Sequence, residues 1–371
     1  MDSLLPSASP NRPTLHLSDR APRTRGEARG AALRTEIVQG VDLYLRLFAE
    51  YGMTDAAVAE KAMRSVDATD LWNSDLVAEL EGVANGAGTD VWHIAAVNAR
   101  TEILSSAPGA RPGECTTIVR TATRRLAIQT WDWHEEMSAL WHTQQISGTS
   151  RTFAGLTEHG ILSKIGVNDA GVAVLLNILG HEDDGVGGLP IHLLTFAVLS
   201  TAESVEHALD ILRRAPVSAS SAITVVDALS AVTAEVSPAG IALFAPVGGW
   251  IAHSNHFLDD VLATGEKRWL YEPDSQDRLA LVHSRLSRCP APATTEELLP
   301  LLYSDPGQPA LCCVPAPDAV FGDRWRTLAT ITVDAAERTI DVFEGSPIDA
   351  RTARRTRLRA LSQANNSLPT L

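Results

Sequence analysis

The order of apolar periodicities predicts an α+β chain, with antiparallel sheets and helices layered on them. Two observations carry this. Residues 31–106 repeat apolar side chains at three- and four-residue steps, as a helix face requires. From residue 116 the texture changes to short β-type runs at hairpin spacing, interrupted by two helices and followed by further strands.

The first thirty residues read as a flexible tail. Pro6, Pro10, Pro13 and Pro22 interrupt any helix there, and five arginines stand against Asp2, Asp19 and Glu27. Helices follow. Ile37, Val41, Leu45 and Phe48 mark one, and Asp90 is placed to cap another that carries Trp92, Ile94, Val97 and Ile103. Two prolines and two glycines within 108–113 make an exposed loop. Strands are expected at 116–119, 126–131, 152–156, 161–167 and 172–178, with turns at Glu158-His159-Gly160 and Asn168-Asp169-Ala170-Gly171. Helices near 191–200 and 204–214 come next, the second announced by Thr201 or Ser204 with Glu203 and Glu206 in its first turn. Strands near 222–227, 231–236, 241–246 and 249–253 precede helices near 275–288 and 295–303. A last strand pair, 327–333 and 339–343, brackets the turn at 334–338.

Length and composition bound what such a chain can do. At 371 residues, with 45% hydrophobic and 20% charged, it is a globular chain with ample core. A net charge of −14 with no dominant basic block argues against nucleic-acid binding. No stretch reaches the roughly 18 apolar residues of a membrane span, no secretory signal is present, and a cytoplasmic location is expected. Four cysteines, two of them adjacent (Cys312, Cys313), make no disulfide framework, and Cys289, Cys312 and Cys313 read as structural thiols. No metal site is expected: His134, Glu135, Glu136 and His142 lack the spacing of a histidine pair around a glutamate. Residues 185–188 lack the Lys-Ser/Thr of a phosphate loop, and no Gly-x-Ser-x-Gly elbow occurs.

Cys115 is the candidate for chemistry. It opens the first strand two residues after Gly113, where it is either a small buried strand residue or a nucleophile. Cutting the bond between Glu114 and Cys115 would give one residue both a thiol and an α-amine. The amine titrates at about 8 and the thiol at about 8.5, so the amine is a suitable general base at neutral pH.

Several motifs in order support the second reading. Cys115-Thr116-Thr117-Ile118, Gln129-Thr130-Trp131-Asp132-Trp133, the 166–172 turn with Leu176-Asn177-Ile178, Ser254-Asn255-His256-Phe257-Leu258, and Thr327-Leu328-Ala329-Thr330-Ile331 follow one another. Asn98-Ala99-Arg100-Thr101-Glu102 precedes them. Together they resemble the self-cleaving isopenicillin N acyltransferase family of cysteine N-terminal-nucleophile hydrolases, related to penicillin V acylase and bile salt hydrolase. The resemblance covers nearly the whole chain after residue 31. It implies a four-layer αββα sandwich, with residues 31–114 as a helical pro-segment and 115–371 as the catalytic part.

The resemblance also implies roles. Cys115 is the nucleophile and Asp132 orients the new α-ammonium or a substrate amine. Asn255 donates to the oxyanion, with Asn177 as a second site asparagine. Arg324, with Arg326 as its rival, contacts substrate, and Trp133 and Thr117 line the site. The expected partner is a small acylated amine or acyl thioester. The two pieces stay associated after cleavage, and a homo-oligomer is left open. No cofactor is needed, and acyl-CoA is a co-substrate only in an acyltransferase. Glu114 departs from the glycine of the fungal enzyme, a residue that permits strained backbone. That departure favours the alternative of an uncleaved, silent relative acting as a binding or chaperone-like partner.

Overall fold

The computed structural model describes residues 12–107, 115–270 and 274–361. They begin with a strand, β1 (Thr14–Leu17), and six helices, α1 (Pro22–Ala32), α2 (Arg34–Glu50), α3 (Asp55–Trp72), α4 (Ser74–Ala87), α5 (Val91–Asn98) and α6 (Arg100–Ser105). Local chemistry sets the ends. Thr54 caps α3 by accepting the Ala57 N–H, and α4 stops at Gly88, whose φ of 73° is left-handed.

The expected tail is corrected here. Within the described residues, 14–17 and 22–32 are built into the fold. Pro22 is no obstacle, because it occupies the first turn of α1, where its missing N–H costs nothing. The helix has a packing reason to form. A Cβ on Gly26 would lie 2.1 Å from the Glu79 carbonyl oxygen, and one on Gly82 would lie 2.1 Å from that of Arg23. Gly30 and Gly86 are equally tight, so α1 and α4 meet backbone to backbone through paired Gly-x-x-x-Gly faces.

After residue 114 come β2 (Cys115–Arg120), β3 (Leu126–His134), β4 (Trp141–Ile146), β5 (Phe153–Glu158), β6 (Ile165–Asn168) and β7 (Ala173–Ile178). Helices α7 (Ile191–Thr201) and α8 (Val205–Arg214) follow, then β8 (Ser221–Val226), β9 (Ala231–Ser237), β10 (Gly240–Phe244) and β11 (Trp250–His253). Helix α9 (Asp274–Leu286), a 3-10 turn (Glu296–Leu302), β12 (Trp325–Asp334), β13 (Thr339–Glu344) and β14 (Arg355–Arg359) are the last elements of the described residues. Ser204, one of the two expected caps, accepts the His207 N–H at the start of α8.

The strands form two sheets. One runs β1-β4-β5-β6-β7-β8-β9-β10, and the other runs β11-β2-β3-β12-β13-β14. Pairing is antiparallel throughout except that β1 lies parallel to β4. The sheets face each other, with β2 against β7 and β13 against β5 and β6. α7 and α8 cover the outer face of the first sheet, and α9 lies against β11 on the second. This is the four-layer αββα sandwich. Covering both faces explains why β5, β7 and β8 are buried at every residue instead of alternating.

Candidate active site

The register brings the expected residues to one end of the facing strands β2 and β7. Cys115 starts β2 and pairs with Trp131 of β3, and its side chain is only 4% exposed. Its backbone N–H donates to Asn255 Oδ1 at 2.8 Å. Its carbonyl accepts from Asn177 Nδ2 at 2.9 Å. Thr117, on the same side of β2, donates its hydroxyl to Asn177 Oδ1 at 2.6 Å and accepts from Gln129 Nε2 at 2.8 Å. Asp132, buried between Trp131 and Trp133, accepts from Thr327 at 2.5 Å and Thr130 at 3.2 Å. Cys115, Asp132, Asn177, Asn255 and Thr117 therefore form one cluster.

Three of the expected residues are engaged elsewhere. Arg324 donates to Glu135 Oε2 from Nε at 2.7 Å, and Arg326 meets the other oxygen of Glu135, also at 2.7 Å. The rival arginines share one carboxylate. Trp133 is buried, donates its indole N–H to Tyr44 at 3.0 Å and lies under the Arg100 guanidinium. Glu114 and the 108–113 loop lie outside the described residues.

Sequence reasoning missed two cations at the site. Arg278, on the first turns of α9, donates to the Cys115 carbonyl at 3.3 Å, Thr116 Oγ1 at 3.0 Å and Asn255 Oδ1 at 3.1 Å. It is 163 positions from Cys115, and no local spacing announces it. Lys164 lies 4.1 Å from the Trp131 ring centre and 2.9 Å from Glu158 Oε1. Glu158 is also held by Arg100 at 2.6 Å and by the Tyr44 hydroxyl. One buried carboxylate thus joins α2 and α6 to the sheets that follow residue 114.

The electrostatics follow from burial. Desolvation, helped by the Asp132 carboxylate, pushes the Cys115 thiol up to about 12, against the opposing pull of Lys164, the Asp132 N–H and Arg278. Desolvation also brings the Lys164 ammonium down to about 8, although Glu158 supports its charge. Burial alone would raise the Glu158 carboxyl, but Arg100 and then Lys164 reverse this and hold it far below the usual range. With its N–H intact as a peptide nitrogen, Cys115 is a protonated and weak nucleophile at neutral pH. Among the described residues, no group of three or more His, Cys, Asp or Glu is placed to hold a metal ion, and no helix is long and apolar enough to cross a membrane.

Comparison with known proteins places these residues in context. Residues 119–349 match the family model described as acyl-coenzyme A:6-aminopenicillanic acid acyl-transferase. The chain is 30% identical over 244 residues to the 40 kDa form of acyl-coenzyme A:6-aminopenicillanic-acid-acyltransferase of Emericella nidulans, covering 64% of this chain and 67% of that one. Among solved structures, penicillin V acylase of Agrobacterium tumefaciens is similar at 16% identity and a TM-score of 0.46, covering 67% of this chain and 89% of that one. A mutant of the conjugated bile acid hydrolase from Clostridium perfringens is similar at 9% identity and a TM-score of 0.45, covering 66% of this chain and 92% of that one. At these scores the structural likeness adds nothing to what the chain's own layers establish.

Proposed function

Because this chain belongs to the acyl-coenzyme A:6-aminopenicillanic acid acyl-transferase family, we propose that it is an amidohydrolase or acyltransferase activated by self-cleavage before Cys115. The substrate in this reading is a small acylated amine or an acyl thioester, within specialised metabolism and the cytoplasm. One observation carries the assignment. The nitrogen and the carbonyl of Cys115 are each gripped by a buried asparagine, Asn255 and Asn177, so the main chain at this one strand start is held on both sides.

Cleavage begins when Cys115 Sγ attacks the Glu114 carbonyl carbon. The C–N bond breaks, and the departing nitrogen takes a proton and becomes the α-amine. Water then hydrolyses the thioester, releasing the thiol and leaving a carboxylate on Glu114. The α-amine, a group that ordinarily titrates at about 8, is then the general base that takes the thiol proton as the sulfur attacks. Asn255 Oδ1 already accepts from that nitrogen, which supports its role as the partner of the amine after cleavage. In the catalytic cycle the sulfur attacks the substrate carbonyl as its proton passes to the α-amine, and the leaving amine or thiol then takes that proton. Water or an acceptor amine then releases the acyl group.

Asn255 Nδ2 is bonded to the Ile178 carbonyl at 2.9 Å. Its oxyanion role therefore requires the amide to let go of Ile178 once the chain is cut. Asp132, with its two hydroxyl partners, is set to orient a cationic amine. In an acyltransferase cycle acyl-CoA would be the acyl donor, and neither route calls for a cofactor. Arg100 and Tyr44 on Glu158, and Glu102 on the Ile191 N–H, support the two pieces staying together.

A denaturing gel with intact-mass measurement tests this. Wild-type protein should yield pieces of 114 and 257 residues from the 371, and Cys115→Ala should stay whole. A wild-type chain that remains intact on long incubation, and releases no acid from acylated amines, overturns the reading in favour of a silent binding partner.

A further inference from the structure

A cavity of about 720 Å³ lies at the far end of the strand pair that carries Cys115. In the β2–β11 register Thr117 pairs with His253 near the nucleophile, while Arg120 pairs with Trp250 at the other end. Arg120 is five residue steps along β2 from Cys115, roughly 17 Å at the rise of a strand. The cavity is therefore distinct from the nucleophile's site. Its volume falls in the range of small-molecule sites.

Its walls are apolar: Phe244, Val247, Trp250, Leu258 and Leu286. Val247 is 83% exposed, although its side chain is wholly apolar. Against this surface stands one guanidinium. Arg120 stacks 4.8 Å from the Trp250 ring centre and donates from Nη1 to the Gly249 carbonyl at 3.1 Å. Its Nε is buried and without a hydrogen-bond partner, and it has no ion pair among the described residues. The nearby Glu297 is engaged by the Ala293 N–H and the Thr294 hydroxyl. Arg120 is partly buried, and a guanidinium without a carboxylate partner in an otherwise acidic protein is a specific feature. With Nη1 committed to Gly249 and Nε shielded, Nη2 is the nitrogen that retains open donors. It can take one oxygen of a carboxylate in a charge-assisted hydrogen bond.

We infer that this cavity binds a small amphipathic carboxylate, with its acid group on Arg120 and its aliphatic chain or ring against Trp250, Val247 and Leu286. A single guanidinium suits a monoanion, and the apolar walls exclude a small inorganic ion as the fitting occupant. The cavity also shares its framework with the nucleophile. β2 runs from Cys115 to Arg120, β11 runs from Trp250 toward Asn255, and α9 places Arg278 at one site and His283 and Leu286 at the other. The inference does not depend on whether Cys115 is catalytic.

Cys289 lines the same cavity and serves as a local reporter. Iodoacetamide labelling of the full-length protein, read by peptide mass mapping, separates Cys289 from Cys115, Cys312 and Cys313. Decanoate below its micelle concentration should slow labelling of Cys289 at least fivefold and leave Cys312 and Cys313 unchanged. Decanol and decyltrimethylammonium should need at least about tenfold more for the same protection, as should decanoate with Arg120→Gln. Absence of protection by decanoate overturns the inference. So does equal protection by decanol or the ammonium, a comparison that needs only wild-type protein and holds even if Arg120→Gln misfolds. Since no readout involves self-cleavage or acyl release, failure here leaves the proposed function untouched.

Discussion

The peptide nitrogen of Cys115 donates to Asn255 Oδ1 across 140 positions of sequence, and Arg278 bonds the same oxygen. Under the proposed self-cleavage, an acceptor fixed on this nitrogen beforehand is already in place for the amine that would be created. Positioning of this kind contributes to the rate because the group is not reorganised during reaction.

Asn255 can therefore be probed by separating its two ends. Asn255→Asp keeps an oxygen for the Cys115 nitrogen and a partner for Arg278, and should still cleave. Asn255→Ala removes both and should slow self-cleavage by about tenfold or more. The intact fraction on a timed denaturing gel decides this. Equal rates for the two variants would remove the acceptor from the account.

Glu102 gives a pH dependence with a definite sign. Its carboxyl is buried, accepts the Ile191 N–H at 2.8 Å, and is raised by burial to about 7. The folded chain therefore holds that proton more tightly than the unfolded chain does. The associated stability is complete below the ordinary carboxyl value of about 4.3 and is lost as pH rises through about 7. Glu102→Gln keeps an oxygen for Ile191 and cannot ionise. Relative to wild type it should gain on the order of 3 kcal/mol between acid and neutral pH, read from urea unfolding across that window. A difference that stays flat with pH would contradict the assignment.

The seat of α1 on α4 predicts a contrast between glycines. Gly26→Ala would drive a methyl group into the Glu79 carbonyl, and the helices would have to part. Overpacking of this kind costs about 1–3 kcal/mol. Gly185→Ala meets nothing within 4 Å and should stay within about 0.5 kcal/mol of wild type. Urea midpoints of the two variants test the difference.

What the sequence made legible was set by how local each signal is. The hairpins from β5 to β7 and the cap at Ser204 are written in neighbouring residues, and the structure places them within a few positions of expectation. β1 was hidden because four residues pairing in parallel need β4, more than a hundred positions away. α1 was hidden because its defining face is glycine, which reads as breakage until a second glycine face is found opposite it. The cluster of Cys115, Asp132, Asn177 and Asn255 was accessible through ordered motifs. Arg278 was not, since only the docking of α9 brings it to Asn255. Arg324 and its rival Arg326 turn out to share Glu135, Arg324 from two nitrogens and Arg326 from one.

Glu158 bears on how the molecule can be made. Tyr44 and Arg100 reach it from before the junction and Lys164 from after it. A polypeptide beginning at Cys115 would leave that carboxylate with one cation where it now has two, and Trp133 without the hydroxyl that receives its indole N–H. The helical part is thus half of a buried circuit. Attempts to assemble the enzyme from separately produced halves should succeed only when the two meet during folding.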